Sequence, residues 1–233
     1  MKVYQSEDAI ERIRQKIVSM EWAPGTRLSS NQIAAELGMS RTPVEKALAN
    51  LERYGLVRVE SGKYLVSSFS MQDIVELYQV KEAIECHAIK IVLERGGLDD
   101  GQLQALRDTV ERHSVAGEAE DDHTFFQEGM GFHYLILEYA GNSRLMHIHQ
   151  LIRYENERVQ LLNVLFPQKT ESVSEHLALI DALERRDLDG ALAACSDHSR
   201  KTLERYQKIL GEPTFPRAVL QLHNLYQNSN LAG

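Results

Sequence analysis

Apolar residues recur at helical spacing along most of the chain, and breaks in that pattern divide it into two unlike parts. Ile10, Ile13, Ile17 and Met20 lie three or four residues apart behind Ser6-Glu7-Asp8, a cap residue followed by early acids. This predicts a helix opening there and ended by Pro24-Gly25. A second, short helix is expected from Ser29/Ser30, with Ile33, Ala34 and Leu37 facing inward and Gly38 as its stop. A third starts at Ser40-Arg41-Thr42-Pro43, where Pro43 suits the first turn, and it sets Val44, Ala47, Leu48 and Leu51 on one face before Gly55. Two β-prone runs in 56–66 then flank a turn at Gly62 and read as a small hairpin. Three short helices and a hairpin describe a winged helix-turn-helix.

From Met71 the pattern changes to long segments of 3.6-residue periodicity, without strand alternation of useful length. Helices are expected at 71–95, 99–115, 120–140, 143–165, 171–186 and 188–210, with Gly96-Gly97, Gly141-Asn142 and Phe166-Pro167 as stops. The predicted fold is therefore mainly α. An N-terminal winged helix-turn-helix in 1–68 precedes an all-α helical bundle in 69–211 and a C-terminal extension in 212–233. The apolar run from Val219 to Tyr226 in that extension reads either as a further helix docking on a partner surface or as a loose tail.

Charge complicates this picture before it supports it. The 233 residues carry a net charge of -8, which looks unfavourable for a nucleic-acid partner. Residues 1–68, however, hold ten Lys and Arg against eight Asp and Glu, a balance of +2, while 69–233 hold 16 against 26, a balance of -10. Such asymmetry points to different partners for the two parts. Two cysteines, Cys86 and Cys195, have no CxxC spacing and favour a reducing cytoplasm, where they serve as packing residues. No apolar run approaches the length of a membrane span, and the first residues lack a signal-peptide core. Phosphate-cradle and nucleophile-elbow motifs are absent from the sequence.

In a helix-turn-helix the start of the second helix approaches base edges and phosphates. Here that start offers Arg41 to guanine or phosphate, with Ser40 and Thr42 adding hydroxyl contacts while capping the helix. The hairpin tip Gly62-Lys63 is placed as a wing, Lys63 meeting phosphate. Three blocks, Pro24 to Leu28, Ile33 to Val44 (containing Ser40-Arg41-Thr42-Pro43) and Leu51 to Val57, resemble the amino-terminal domain of the GntR family of bacterial transcription regulators. The resemblance implies binding of a double-stranded operator by a homodimer. Two departures stand out: Glu45 replaces a usual DNA-contacting arginine, and Ser30-Asn31 stands where Glu-Arg is common. Lys46, about 100° away around the helix, is no automatic substitute for an arginine at 45. An operator unlike the family's common one, or weaker binding, is expected.

Histidines on separate helices of an all-α bundle can converge and bind a divalent metal through neutral imidazole nitrogens. The helical half is similar to the FCD effector domain of the FadR-like branch of that family, and the resemblance matches His133, His176 and His198 to its three histidine ligands. It also implies a small organic or sugar acid as effector. The family's aspartate, four residues before the first histidine, is here Gly129, and neighbouring Glu128 points elsewhere on a helix. Two readings stay open: the imidazoles hold Zn²⁺ or Ni²⁺ with water or an effector carboxylate completing the sphere, or they bind an anionic effector directly. Lys81 stands where the family often has an effector-binding arginine, and Arg153 is a second candidate contact. The leading expectation is a ligand-responsive repressor that is not an enzyme. The alternatives are a metal-dependent hydrolase using the three histidines and an effector-binding adaptor with weakened DNA binding.

Overall fold

The computed structural model of the protein describes residues 2–68, 70–160 and 170–210. The expected end of the 143–165 helix, the Phe166-Pro167 stop and the 212–233 extension lie outside the described residues. Two compact units emerge. Among the described residues the first takes 2–68, 70–73, 151–160 and 210, and the second takes 74–150 with 170–209.

In the first unit, α1 (Lys2–Val18), β1 (Arg27–Leu28), α2 (Ser30–Leu37), α3 (Arg41–Arg53), β2 (Val57–Glu60) and β3 (Lys63–Val66) form the winged helix-turn-helix. Ala9, Ile13 and Ile17 of α1 meet Val44, Ala47, Leu48 and Leu51 of α3 in one core, which Leu56, Val57 and Val66 of the hairpin close. Gly38 caps α2 in the left-handed conformation (φ 67°, ψ 30°), and its N–H bonds back to the last turn. That turn lets α3 leave in a new direction after a connection of only three residues, 38–40. The hairpin loop Ser61-Gly62 has positive φ at both residues, as a tight two-residue turn requires.

Two expectations for this unit need correction. α1 begins at Lys2, so Ser6-Glu7-Asp8 lies inside it; nothing in residues 2–5 breaks a helix, and the structure propagates back through them. It ends at Val18, well before Pro24-Gly25, because Met20 turns left-handed (φ 60°) with its side chain buried. A third strand is also present. β1 pairs antiparallel with β3 through Arg27↔Leu65 and Leu28↔Tyr64, giving the sheet order β1-β3-β2.

The longer helices are α4 (Met71–Glu94), α5 (Asp100–Glu118), α6 (Asp122–Ala140), α7 (Ser143–Gln160), α8 (Thr170–Glu184) and α9 (Leu188–Leu210). The α4–α5 connection turns through Gly96 and Gly97, both at positive φ, and Asp99 and Gln102 form a capping box that starts α5. Within the second unit α5 packs on α6 and α8. The buried stripe of α4 runs Ile74, Leu77, Tyr78, Lys81, Ile84, Glu85, Ala88, so two opposite charges sit on its apolar face. No helix among the described residues is long and apolar enough to cross a membrane.

Candidate functional site

His133 on α6, His176 on α8 and His198 on α9 meet in the interior of the second unit, all buried. One ring nitrogen from each lies within 4.8 Å of the others. The outward nitrogens explain the orientation. His198 Nδ1 is 2.7 Å from Glu175 Oε2 and His133 Nδ1 is 3.1 Å from Glu85 Oε2. A carboxylate only accepts, so each Nδ1 carries the proton and each Nε2 keeps its lone pair. His133 Nε2 faces His176 Nε2 at 3.3 Å, while the buried Nδ1 of His176 has no hydrogen-bond partner among the described residues. Carboxylate-backed imidazoles with inward lone pairs are how a metal's outer partners fix ligand tautomers, so this donor set fits a divalent cation. The nitrogens of three imidazoles suit Zn²⁺ or Ni²⁺ better than a hard, oxygen-seeking ion.

The two backing carboxylates are themselves paired. Lys81 Nζ lies 2.8 Å from Glu85 Oε1 and donates to Oε2 at 3.1 Å, both side chains being almost fully buried. Arg205 reaches Glu175 Oε1 at 3.1 Å. Burial alone would raise the Glu85 and Glu175 carboxyls; His133 and then Lys81 beside Glu85, and His198 and then Arg205 beside Glu175, reverse this and hold both below the ordinary value. Burial depresses the imidazoles: His198 falls to about 4 despite Glu175, His133 falls although Glu85 opposes it, and His176 falls well below 6.5. The cluster is therefore neutral at pH 7 and ready to ligate.

In the first unit, Arg41, Thr42, Lys46 and Asn31 are exposed, as are Gly62 and Lys63 at the wing. Ser40 is the N-cap of α3 (φ -74°, ψ 161°), but its side chain makes no cap hydrogen bond, which corrects the expected capping role. Its hydroxyl is thereby left to other contacts. Arg41 Nε bonds Glu45 Oε1 at 2.7 Å. Glu45 thus acts on Arg41 one turn away on the same helix face, as well as on any phosphate nearby. Arg153 also falls in this unit, bonding Glu157 at 3.2 Å and lying over the Tyr154 ring, whereas the histidines belong to the other unit.

The gntR family of bacterial regulatory proteins matches residues 5–64, and the FCD domain matches residues 76–201, which is over half of the chain. The chain belongs to the GntR family, in its FCD branch. This GntR-family protein is similar to the HTH-type transcriptional repressor RspR of Escherichia coli (strain K12), with 25% identity over 203 residues covering 86% of this chain and 88% of that one. It is also similar to the HTH-type transcriptional regulator YdhC of Bacillus subtilis (strain 168), with 22% identity over 207 residues covering 86% and 90%. Among solved structures, E. coli McbR/YncC shares the fold with a TM-score of 0.71 and 20% identity, covering 88% of this chain and 98% of that one. The protein is a transcription regulator with a DNA-binding winged helix and an effector-binding FCD domain, and not an enzyme. The hydrolase alternative is set aside on that ground.

Reading the sequence alone missed several groups around the FCD domain's histidines. Glu85, Glu175 and Arg205 look like solvated helix residues until the fold buries the two carboxylates and half-buries the arginine. Their only signal is position: Glu85 is one turn after Lys81 on an otherwise apolar stripe. Glu128 pairs instead with Arg112 at 3.0 Å, in keeping with its helical offset from His133. His113 of α5 was also missed. Its ring lies 5.4 Å from that of His176 and against Gly129.

Proposed function

We propose that this GntR-family regulator works in the cytoplasm as a homodimer that binds a two-fold symmetric operator and represses transcription, and that a small organic or sugar acid at the three histidines relieves the repression. The observation that carries the ligand half is the set of inward imidazole nitrogens of His133, His176 and His198, two of them backed by carboxylates. A divalent cation there, Zn²⁺ or Ni²⁺, supplies a Lewis-acid anchor for an anionic oxygen. Lys81 contributes a second positive charge, joined to His133 through Glu85, so an effector carboxylate competes with Glu85 for its ammonium. The effector acts only through unequal affinity for the DNA-competent and DNA-released arrangements of the dimer. On the DNA side, the exposed Ser40, Arg41 and Thr42 at the start of α3 and Lys63 on the wing support groove and backbone contacts. Arg153, tied to Glu157, is a weaker candidate for the effector and belongs with the winged-helix unit.

The test is fluorescence anisotropy of the full chain with fragments of its upstream intergenic DNA, across salt concentration and with a panel of organic acids. Specific, salt-sensitive binding that an acid releases is expected. Binding of acids without any DNA binding would favour the adaptor reading. Glu45→Arg frees Arg41 from its ion pair and replaces an anion by a cation at the DNA face. It is expected to tighten non-specific DNA binding about tenfold and to steepen the salt dependence. Unchanged affinity and unchanged salt slope would remove residue 45 from the interface.

The metal is tested separately. Protein purified without a histidine tag and supplemented with zinc is expected to hold one equivalent per chain, and His176→Ala to weaken the affinity on the order of 100-fold. No zinc in the supplemented wild type, with acid binding intact, would leave the histidines as direct anion contacts.

A further inference from the structure

Gly129 lies in the middle of α6, one turn before His133 and on the same side of the helix. Its φ is not positive, so the backbone does not call for glycine, and glycine inside a helix is less stable than alanine. Packing supplies the reason. A Cβ at 129 would sit 3.0 Å from His113 Cε1 and 3.3 Å from His113 Nδ1.

His113 is poorly able to retreat. Its Nδ1–H donates to the Phe125 carbonyl at 2.7 Å, which leaves Nε2 to accept from the Ser172 hydroxyl at 3.0 Å. Its ring is stacked on Phe125 with centroids 3.9 Å apart and planes 21° from parallel. Both nitrogens are thereby committed away from the histidine cluster, although the ring borders His176.

We infer that His113 closes the metal centre on the residue-129 side, fixing its protein ligands at three imidazoles and leaving the remaining coordination to a small anionic oxygen donor. The inference rests on the metal reading proposed above. A carboxylate at 129 would lie i,i+4 to His133 and could share its ion, but an imidazole with no spare nitrogen fills that place. Three neutral ligands leave the cation its full double charge, which favours a ligand that brings its own negative charge.

The experiment uses the full chain carrying Gly129→Ala, Gly129→Asp, His113→Ala and the two double substitutions. His113→Ser replaces His113→Ala should the latter fold poorly. In metal-free protein, Gly129→Ala is expected to lower the melting temperature when His113 is present and to raise it by roughly 2–4 °C in the His113→Ala background. With Co²⁺ as the probe, Gly129→Asp alone is expected to weaken binding about tenfold, and His113→Ala/Gly129→Asp to recover it. Added acetate is expected to shift the visible spectrum of the cobalt-loaded wild type and to leave that of the double variant unchanged. Equal stabilisation by Gly129→Ala in both backgrounds would overturn the inference, as would tighter cobalt binding by Gly129→Asp with His113 in place. If the wild type binds no Co²⁺, the metal reading fails by itself, and the melting temperatures still decide whether His113 excludes a side chain at 129.

Discussion

Replacing Lys81 by methionine is expected to destabilise the protein by about 3–5 kcal/mol, the usual cost of stripping a buried carboxylate of its cation. Methionine keeps most of the stem volume, so a cavity contributes little. What is lost is the ammonium 2.8 Å from Glu85 Oε1, in a place where both side chains are almost fully buried. His133 cannot replace it without taking up a proton, which burial opposes. For a chain of this size the melting temperature should fall by roughly 6–20 °C. The double variant Lys81→Met/Glu85→Gln removes both charges and keeps an oxygen that accepts from His133 Nδ1. It should recover at least half of the loss, giving a large coupling energy in the double-mutant cycle. Urea unfolding of the four proteins measures this. A loss below about 1 kcal/mol in the single variant would mean that Lys81 is not a structural partner of Glu85. Lys81 would then be free to serve an effector alone.

This pair also shows where reading from sequence stops. The winged helix was legible because its punctuation is local: Gly38, Pro43, Gly55 and Gly62 each terminate or start an element within a few residues. Its errors were local too. A two-residue β1 carries no alternation to detect, and the end of α1 depends on Met20 turning left-handed so that its side chain is buried. The long helices follow from periodicity alone. Which of their polar residues face one another does not, since that depends on the packing of α4, α6, α8 and α9. Family resemblance singled out His133, His176 and His198, whereas spacing along the chain did not bring them together. The residues that set their tautomers carried no motif at all. Glu175 adjoins His176 in sequence but serves His198 on another helix. Gly129 looked like a missing ligand. Its meaning changes once His113, sixteen residues earlier, is found in the space a side chain there would take.

Acidifying the metal-free protein from pH 7 to about 4.5 is expected to remove much of its stability, and the histidines are the reason. His113 and His198 are held near 4 and His133 and His176 below 6.5, in each case chiefly by burial. Folded pKa values lie below unfolded ones, so between pH 6.5 and 4 the unfolded chain binds more protons and gains on the folded one. The stabilisation is complete above 6.5 and is lost as pH falls toward 4. A displacement from 6.5 to about 4 corresponds to roughly 3 kcal/mol per histidine. His113 and His198 repel each other when charged, so their contributions do not simply add. Even one such contribution is a large fraction of a domain's usual stability of about 5–15 kcal/mol. The groups packed around the cluster sharpen the assignment. Arg205 is raised further above its already high value and stays cationic throughout, and Glu85 and Glu175, both depressed, lose their contributions only below 4.5. A decline between pH 6.5 and 5 therefore belongs to the imidazoles. Denaturant unfolding in chelator at several pH values should show it, and adding zinc should raise stability at pH 7.5 but progressively less toward pH 5, because protons and metal compete for the same nitrogens. A stability constant to within about 1 kcal/mol from pH 7 to 5 would mean that the imidazoles bind protons in the folded protein as readily as in the open chain, and the neutral, metal-ready cluster would have to be abandoned.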